Sequence, residues 1–245
     1  MAQERIVPDE PQFLERFGQA GGLASSAVAV NAPRSVAADR YRLLHFRIER
    51  LCEEHGLKCV AVASAEPGAG RTTTVLNLAL TAARLGDRRV LLVEGDLRRP
   101  CLERLLGLPP GPGLADLLDG DAEIDACLRR LARPPLFAIT AGRRPDEADV
   151  ELDGRRLRAL VAVLKHKFDE IYLDMPALLE SADASLVASA ADAALLVLRP
   201  RASAYEAIRG AAEALGGARI LGCVLNDAEG RMAELGLGMR PALPG

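Results

Sequence analysis

The chain has 245 residues, enough for one α/β domain with a sizeable core. Hydrophobic residues make up 49% and charged residues 27%, the balance of a globular protein rather than a disordered or fibrous one. A net charge of −3 excludes a basic field for nucleic acid or an anionic membrane, and 3% aromatics with no Trp argues against a base-stacking platform.

Residues 1–33 mix prolines, glycines and charges without a sustained period and read as a flexible arm. Residues 34–226 read as one domain. It opens with a helix over 34–56, where Tyr41, Leu44, Ile48 and Leu51 recur every three or four positions and Gly56 ends the pattern. From Lys58 onward, strand and helix alternate. KCVAVAS reads as a strand buried on both faces, TTTVLNLALTAARLG as a helix, and RRVLLVEGD as a second strand. Short helices follow around GLADLL and AEIDACLRRL, then a third strand in LFAITAG and a helix over 153–167. DEIYLDMP, DAALLVLRP and ARILGCVLN complete six strands, with helices over about 181–190 and in SAYEAIRGAAEAL between them. This alternation predicts a doubly wound, mainly parallel sheet with helices on both faces. Residues 227–245 are rich in Gly and Pro and read as a flexible tail.

Five cysteines, Cys52, Cys59, Cys101, Cys127 and Cys223, are odd in number and form no CxxC pair, which suits reduced thiols in a cytosol. The N-terminus lacks the apolar stretch of a signal peptide, and no apolar run approaches the about 18 residues of a membrane span. A cytoplasmic protein without direct membrane insertion is expected. His45, His55 and His166 have no partner motif and read as surface or structural residues.

The strongest motif is AEPGAGRTTT at 65–74, between a strand and a helix. Its spacing is that of a Walker A loop, A/G-x-x-x-x-G-K-S/T, with Arg71 in the lysine position. Gly68 and Gly70 let the backbone wrap a phosphate, the amides of residues 69–72 face the anion, and the positive end of the following helix adds to the attraction. Gly68, Ala69, Gly70, Arg71, Thr72 and Thr73 are thus candidate nucleotide-binding residues, with the Thr72 hydroxyl placed for Mg²⁺. A second motif, VLLVEGDLRRP at 90–100, delivers Glu94 and Asp96 to the carboxyl end of a strand, where ligands of parallel sheets bind. Two acids beside a phosphate loop suit metal coordination and orientation of a nucleophile. In DEIYLDMP at 169–176, Asp174 ends an apolar strand, the Walker B arrangement for Mg²⁺.

The order of P-loop, hhhDxDLRRP and hhhDxP resembles the bacterial tyrosine autokinases of capsular and exopolysaccharide synthesis, within the wider MinD/ParA-like P-loop group. The resemblance runs from about residue 33 to 226. It implies ATP and Mg²⁺ as ligands, with catalytic roles for Arg71, Glu94, Asp96 and Asp174, and Mg²⁺ held by Thr72, Glu94, Asp96 and Asp174. GCVLN at 222–226 is similar to the family's closing strand, which implies Asn226 near the adenine. PRSVAADRYRLLHFRI is similar to the N-terminal helix whose E-x-x-R-x-x-R pattern mediates ring assembly, so a homo-oligomer is implied. The implied partner is the cytoplasmic segment of a transmembrane polysaccharide co-polymerase or chain-length regulator, which would bring the chain to the inner membrane.

The departures are specific. The lysine is Arg71, the first acid of the DxD motif is Glu94, and the ring motif reads Asp39, Arg42, His45. Tyrosine occurs only as Tyr41, Tyr172 and Tyr205, so the family's C-terminal tyrosine cluster is missing. Arginine keeps the charge but is longer and planar, which predicts retained binding and weaker phosphoryl transfer, with Glu94 a candidate compensating partner. Two other readings stand beside a weakened kinase: a non-catalytic nucleotide-binding adaptor, and a MinD/ParA-like positioning ATPase. That last group carries an extra lysine early in the loop, whereas Glu66 and Pro67 lie in this stretch here.

Overall fold

The sheet forms because six short β-branched or aliphatic runs cannot satisfy their backbone alone and are too apolar to face water. A computed structural model describes residues 23–131, 134–142, 152–199, 205–216 and 218–226. Its strands are β1 (Cys59–Ala63), β2 (Val90–Glu94), β3 (Arg129–Arg130), β4 (Leu136–Ile139), β5 (Glu170–Asp174), β6 (Ala193–Leu198) and β7 (Arg219–Leu225). They lie in the order β3-β4-β2-β5-β1-β6-β7. All neighbours are parallel except β3 with β4, which are antiparallel. The predicted mainly parallel sheet is therefore present. β3 is an addition: two arginines carry no strand signal, and pairing with the edge of β4 alone makes them one.

The helices are α1 (Val28–Asn31), α2 (Val36–His55), α3 (Arg71–Leu85), α4 (Leu102–Leu106), α5 (Leu114–Asp119), α6 (Ile124–Cys127), α7 (Gly154–Lys167), α8 (Asp183–Ala190) and α9 (Tyr205–Ala214). Side chains alternate across the buried strands and feed two cores. Val60, Val62, Leu92 and Tyr172 pack with Leu76, Leu80 and Ile48 under α2 and α3. Ala61, Ala63, Leu91, Val93, Ile171 and Leu173 pack with Leu157, Leu164, Val187 and Ala211 under α7, α8 and α9.

Local sequence sets the helix ends. The Ser35 hydroxyl accepts from Ala38 N at 3.2 Å and starts α2, and Gly56, at φ 66°, closes it in a left-handed cap. The Asp153 carboxylate accepts from Arg155 N and Arg156 N and starts α7. Residues 23–33, part of the stretch read as a flexible arm, are held by Ala24 N donating to Leu105 O, by Arg42 and Arg84 donating to Pro33 O and Ala29 O, by burial of Ala27 and Ala29, and by one buried amide side chain. Asn77, fully buried on α3, accepts from Ala29 N at 3.0 Å and donates to Ser26 O at 2.8 Å and Thr73 O at 2.9 Å. The arm residues 1–22 and the tail 227–245 lie outside the described residues. Among the described residues no helix is long and apolar enough to cross a membrane.

His45 is structural, as its isolation in the sequence suggests. It is buried on α2, with Nε2 3.1 Å from Glu170 Oε2, which also accepts from the Tyr172 hydroxyl at 2.7 Å. The periodic stripe of α2 that reaches the interior runs through Ala38, His45 and Ile48, while Leu43 and Phe46 stay exposed.

Candidate functional site

Strand order builds the site. β5 lies between β1 and β2, so the phosphate loop leaving β1 stands beside the chain ends that carry Asp174 and Asp96. Register places Glu94 directly against Asp174. Gly95 is what allows the crossing: its N–H donates to Asp174 O at 2.8 Å, and a Cβ there would sit 2.8 Å from the same oxygen. A side chain at 95 would push β2 off β5 and separate the two acids.

The loop has the geometry of a phosphate cradle. Gly70 adopts φ 88°, which L side chains resist, and α3 starts at the next residue. The first helical N–H to bond backward is Thr74 N, to Gly70 O at 2.9 Å. The amides of Arg71, Thr72 and Thr73 precede that bond and sit at the positive end of a 15-residue helix. The cleft above them has a volume of about 440 Å³ and is lined by Gly68, Gly70, Arg71, Thr72, Asp96 and Arg99. Asn226, at the end of β7, donates from Nδ2 to Ala69 O at 3.0 Å and so clamps the loop from the far side of the sheet.

Arg71 is the centre of the site. Its Nε donates to Asp174 Oδ1 at 3.1 Å, Nη2 to Asp96 Oδ2 at 3.0 Å, and Nη1 to Ser64 Oγ at 3.3 Å. The side chain is 11% exposed, Asp96 10% and Asp174 1%. The guanidinium thus joins both acids on the carboxyl edge of the sheet. A lysine could offer this pair only a single nitrogen, whereas arginine spans them with separate donors. Burial pushes Asp174 up to about 6 against the pull of Arg71 and the Thr72 hydroxyl. Asp96 Oδ1 accepts from Arg99 N at 3.1 Å, which fixes the start of the RRP segment.

Glu94 has a different place from the one its sequence position implies. Its Oε1 accepts from Cys101 N and, at 2.7 Å, Leu102 N; Oε2 accepts from Ala141 N at 3.0 Å. The carboxylate caps the start of α4 and ties it to the end of β4. The extra methylene relative to aspartate carries the carboxylate past the metal side and into the backbone. Desolvation outweighs these three donors and pushes Glu94 up to about 7. The partners of Arg71 are Asp96, Asp174 and Ser64 rather than Glu94. Ser64 was not singled out from sequence, because a lone serine at a strand end has no signature.

As a metal centre, the donors are of the right type. The Thr72 hydroxyl and the Asp96 and Asp174 carboxylates are the hard oxygens Mg²⁺ prefers. A cation already spans both carboxylates, however, and the oxygens of Glu94 are committed to amides. Any metal here competes with Arg71.

No family model matches the chain. It is 27% identical over 213 residues to the tyrosine-protein kinase YwqD of Bacillus subtilis, covering 86% of this chain and 90% of that one. It is 28% identical over 216 residues to the succinoglycan biosynthesis transport protein ExoP of Rhizobium meliloti, covering 86% of this chain but 27% of that much longer one. Among solved structures, the kinase domain of the Escherichia coli tyrosine kinase ETK matches with a TM-score of 0.76 and 27% identity, over 82% of this chain and 79% of that one. The septum site-determining protein MinD of Pyrococcus horikoshii, complexed with Mg-ADP, matches with a TM-score of 0.60 and 28% identity, over 69% of each.

Proposed function

We propose that the chain, similar to bacterial tyrosine-protein kinases and to MinD-like P-loop proteins, is a member of the tyrosine-autokinase family and binds ATP in the service of exopolysaccharide or capsule synthesis. The observation that carries this reading is the loop at 64–74, with Gly70 left-handed, free first-turn amides, and Asp96 and Asp174 at adjoining strand ends. The amides of residues 69–73 hold the phosphates, and Asn226 closes the loop on the side where the base would lie. Mg²⁺, held by Thr72, Asp96 and Asp174, would neutralise charge developing on the transferred phosphoryl group. Arg71 must first release the two acids, and this requirement slows transfer. Tyr172 is not the acceptor, since it is buried and donates to Glu170. The partner is the cytoplasmic segment of a membrane polysaccharide co-polymerase, which would hold the chain at the inner membrane.

A second reading is favoured by the same double ion pair. If Arg71 stays on its acids, nucleotide acts as a conformational ligand and the chain is an adaptor. Turnover of radiolabelled ATP by the purified chain, with and without the partner's cytoplasmic segment, separates the two. Phosphate transfer that rises with the segment supports the kinase. Bound nucleotide with no turnover in either condition leaves the adaptor.

A further inference from the structure

Phosphate loops ordinarily spend their cation on the nucleotide and leave the acids to a metal. Here the distribution is inverted. Arg71 is committed to Asp96 and Asp174 at 3.0 and 3.1 Å and to Ser64 at 3.3 Å, in a setting where each partner is at least nine-tenths buried. A guanidinium has five N–H donors, and these three bonds use three of them. Arg71 also lines the phosphate cleft, so its two remaining donors belong to a group at the cleft wall. One planar cation can therefore hold both carboxylates and meet a phosphate oxygen at once, which an ammonium at the tip of a lysine cannot do.

We propose that Arg71 takes over the charge-bridging task of a divalent ion in this cleft, so that the site binds the metal-free nucleotide anion about as tightly as the magnesium complex. The inference rests on the nucleotide-binding reading above and adds which form of the nucleotide is the ligand. Its physical basis is competition. Mg²⁺ gains affinity by neutralising the acids that repel the phosphates. With a guanidinium already between them, that gain is small, and entry of the metal costs two buried ion pairs. Binding and transfer are thereby uncoupled: nucleotide is retained without metal, while transfer still waits on displacement of Arg71.

The test uses the full chain and ADP, titrated calorimetrically in excess EDTA and again in excess Mg²⁺. The native chain should show dissociation constants that agree within about threefold. Arg71→Lys, which cannot bridge the acids and the phosphate together, should bind at least about tenfold more tightly with Mg²⁺ than without. The native comparison needs no variant, so misfolding of Arg71→Lys cannot hide the result. A native chain that loses about tenfold or more in EDTA overturns the inference and leaves nucleotide binding standing. Indifference to Mg²⁺ in both proteins also overturns it, since Arg71 would then not be the cause. Absence of ADP binding in both buffers removes the nucleotide reading and this inference with it.

Discussion

Gly70 is where the loop's backbone and the clamp from β7 meet, so its replacement by alanine is a sharp probe of the site. At φ 88° an alanine pays about 1.5 kcal/mol of left-handed strain. Its Cβ would stand 1.9 Å from Asn226 Nδ2, the atom that donates to Ala69 O. That atom is the far end of a side chain and can move, so the contact costs only the hydrogen bond, about 1 kcal/mol. Gly70→Ala should therefore destabilise by about 2.5 kcal/mol. Asn226→Ala, which removes only the bond, should cost about 1 kcal/mol. In the double variant the bond is lost once, not twice, so the total should stay near 2.5 kcal/mol and fall about 1 kcal/mol short of additivity. At roughly 2–4 °C per kcal/mol for a chain this size, Gly70→Ala should melt about 5–10 °C lower in differential scanning fluorimetry. Its stabilisation by saturating ADP should also weaken, since the left-handed turn at Gly70 shapes the loop whose amides face the phosphates. Strict additivity of the two substitutions would refute the coupling of loop and clamp, and an unchanged melting point for Gly70→Ala would refute the left-handed turn itself.

Asn77→Ala removes three hydrogen bonds of a fully buried side chain and should cost about 2–3 kcal/mol, with amide exchange accelerated at residues 23–33 ahead of the rest; uniform exchange would show that Asn77 does not hold that segment. The acids give a pH signature. Burial raises Glu94 from 4.5 to about 7 and Asp174 from 3.8 to about 6, so the folded chain binds more protons than the unfolded one between those values. Stability from these groups is fully present below about pH 4 and is lost as pH rises through about 6 and 7, so the urea midpoint should fall across that window. Glu94→Gln should flatten the upper part of the slope, and a midpoint that climbs from about pH 5 to about pH 7.5 would contradict the assignment.

How much of this was legible in the amino-acid order depends on how local the physics is. The strand runs and α3 were readable because their cause is local: apolar residues at a repeating period, and glycines where the chain must turn tightly around an anion. The loop at 64–74, Asp96 and Asp174 were readable for the same reason, as each ends a strand and parallel strands present their carboxyl ends together. Three features were decided only in three dimensions. Glu94 was expected beside a metal because it precedes Asp96 by two residues, yet its extra methylene delivers the carboxylate to amides at Cys101, Leu102 and Ala141. Residues 23–33 lack a period of their own and are held by distant residues, among them Asn77, about fifty positions away, with Arg84 and Leu105. The sequence alone established that an arginine stands where a P-loop carries lysine. That its guanidinium lies across Asp96 and Asp174 could emerge only from the order β2-β5-β1, because the sheet brings together acids that lie 25 and 103 residues away along the chain.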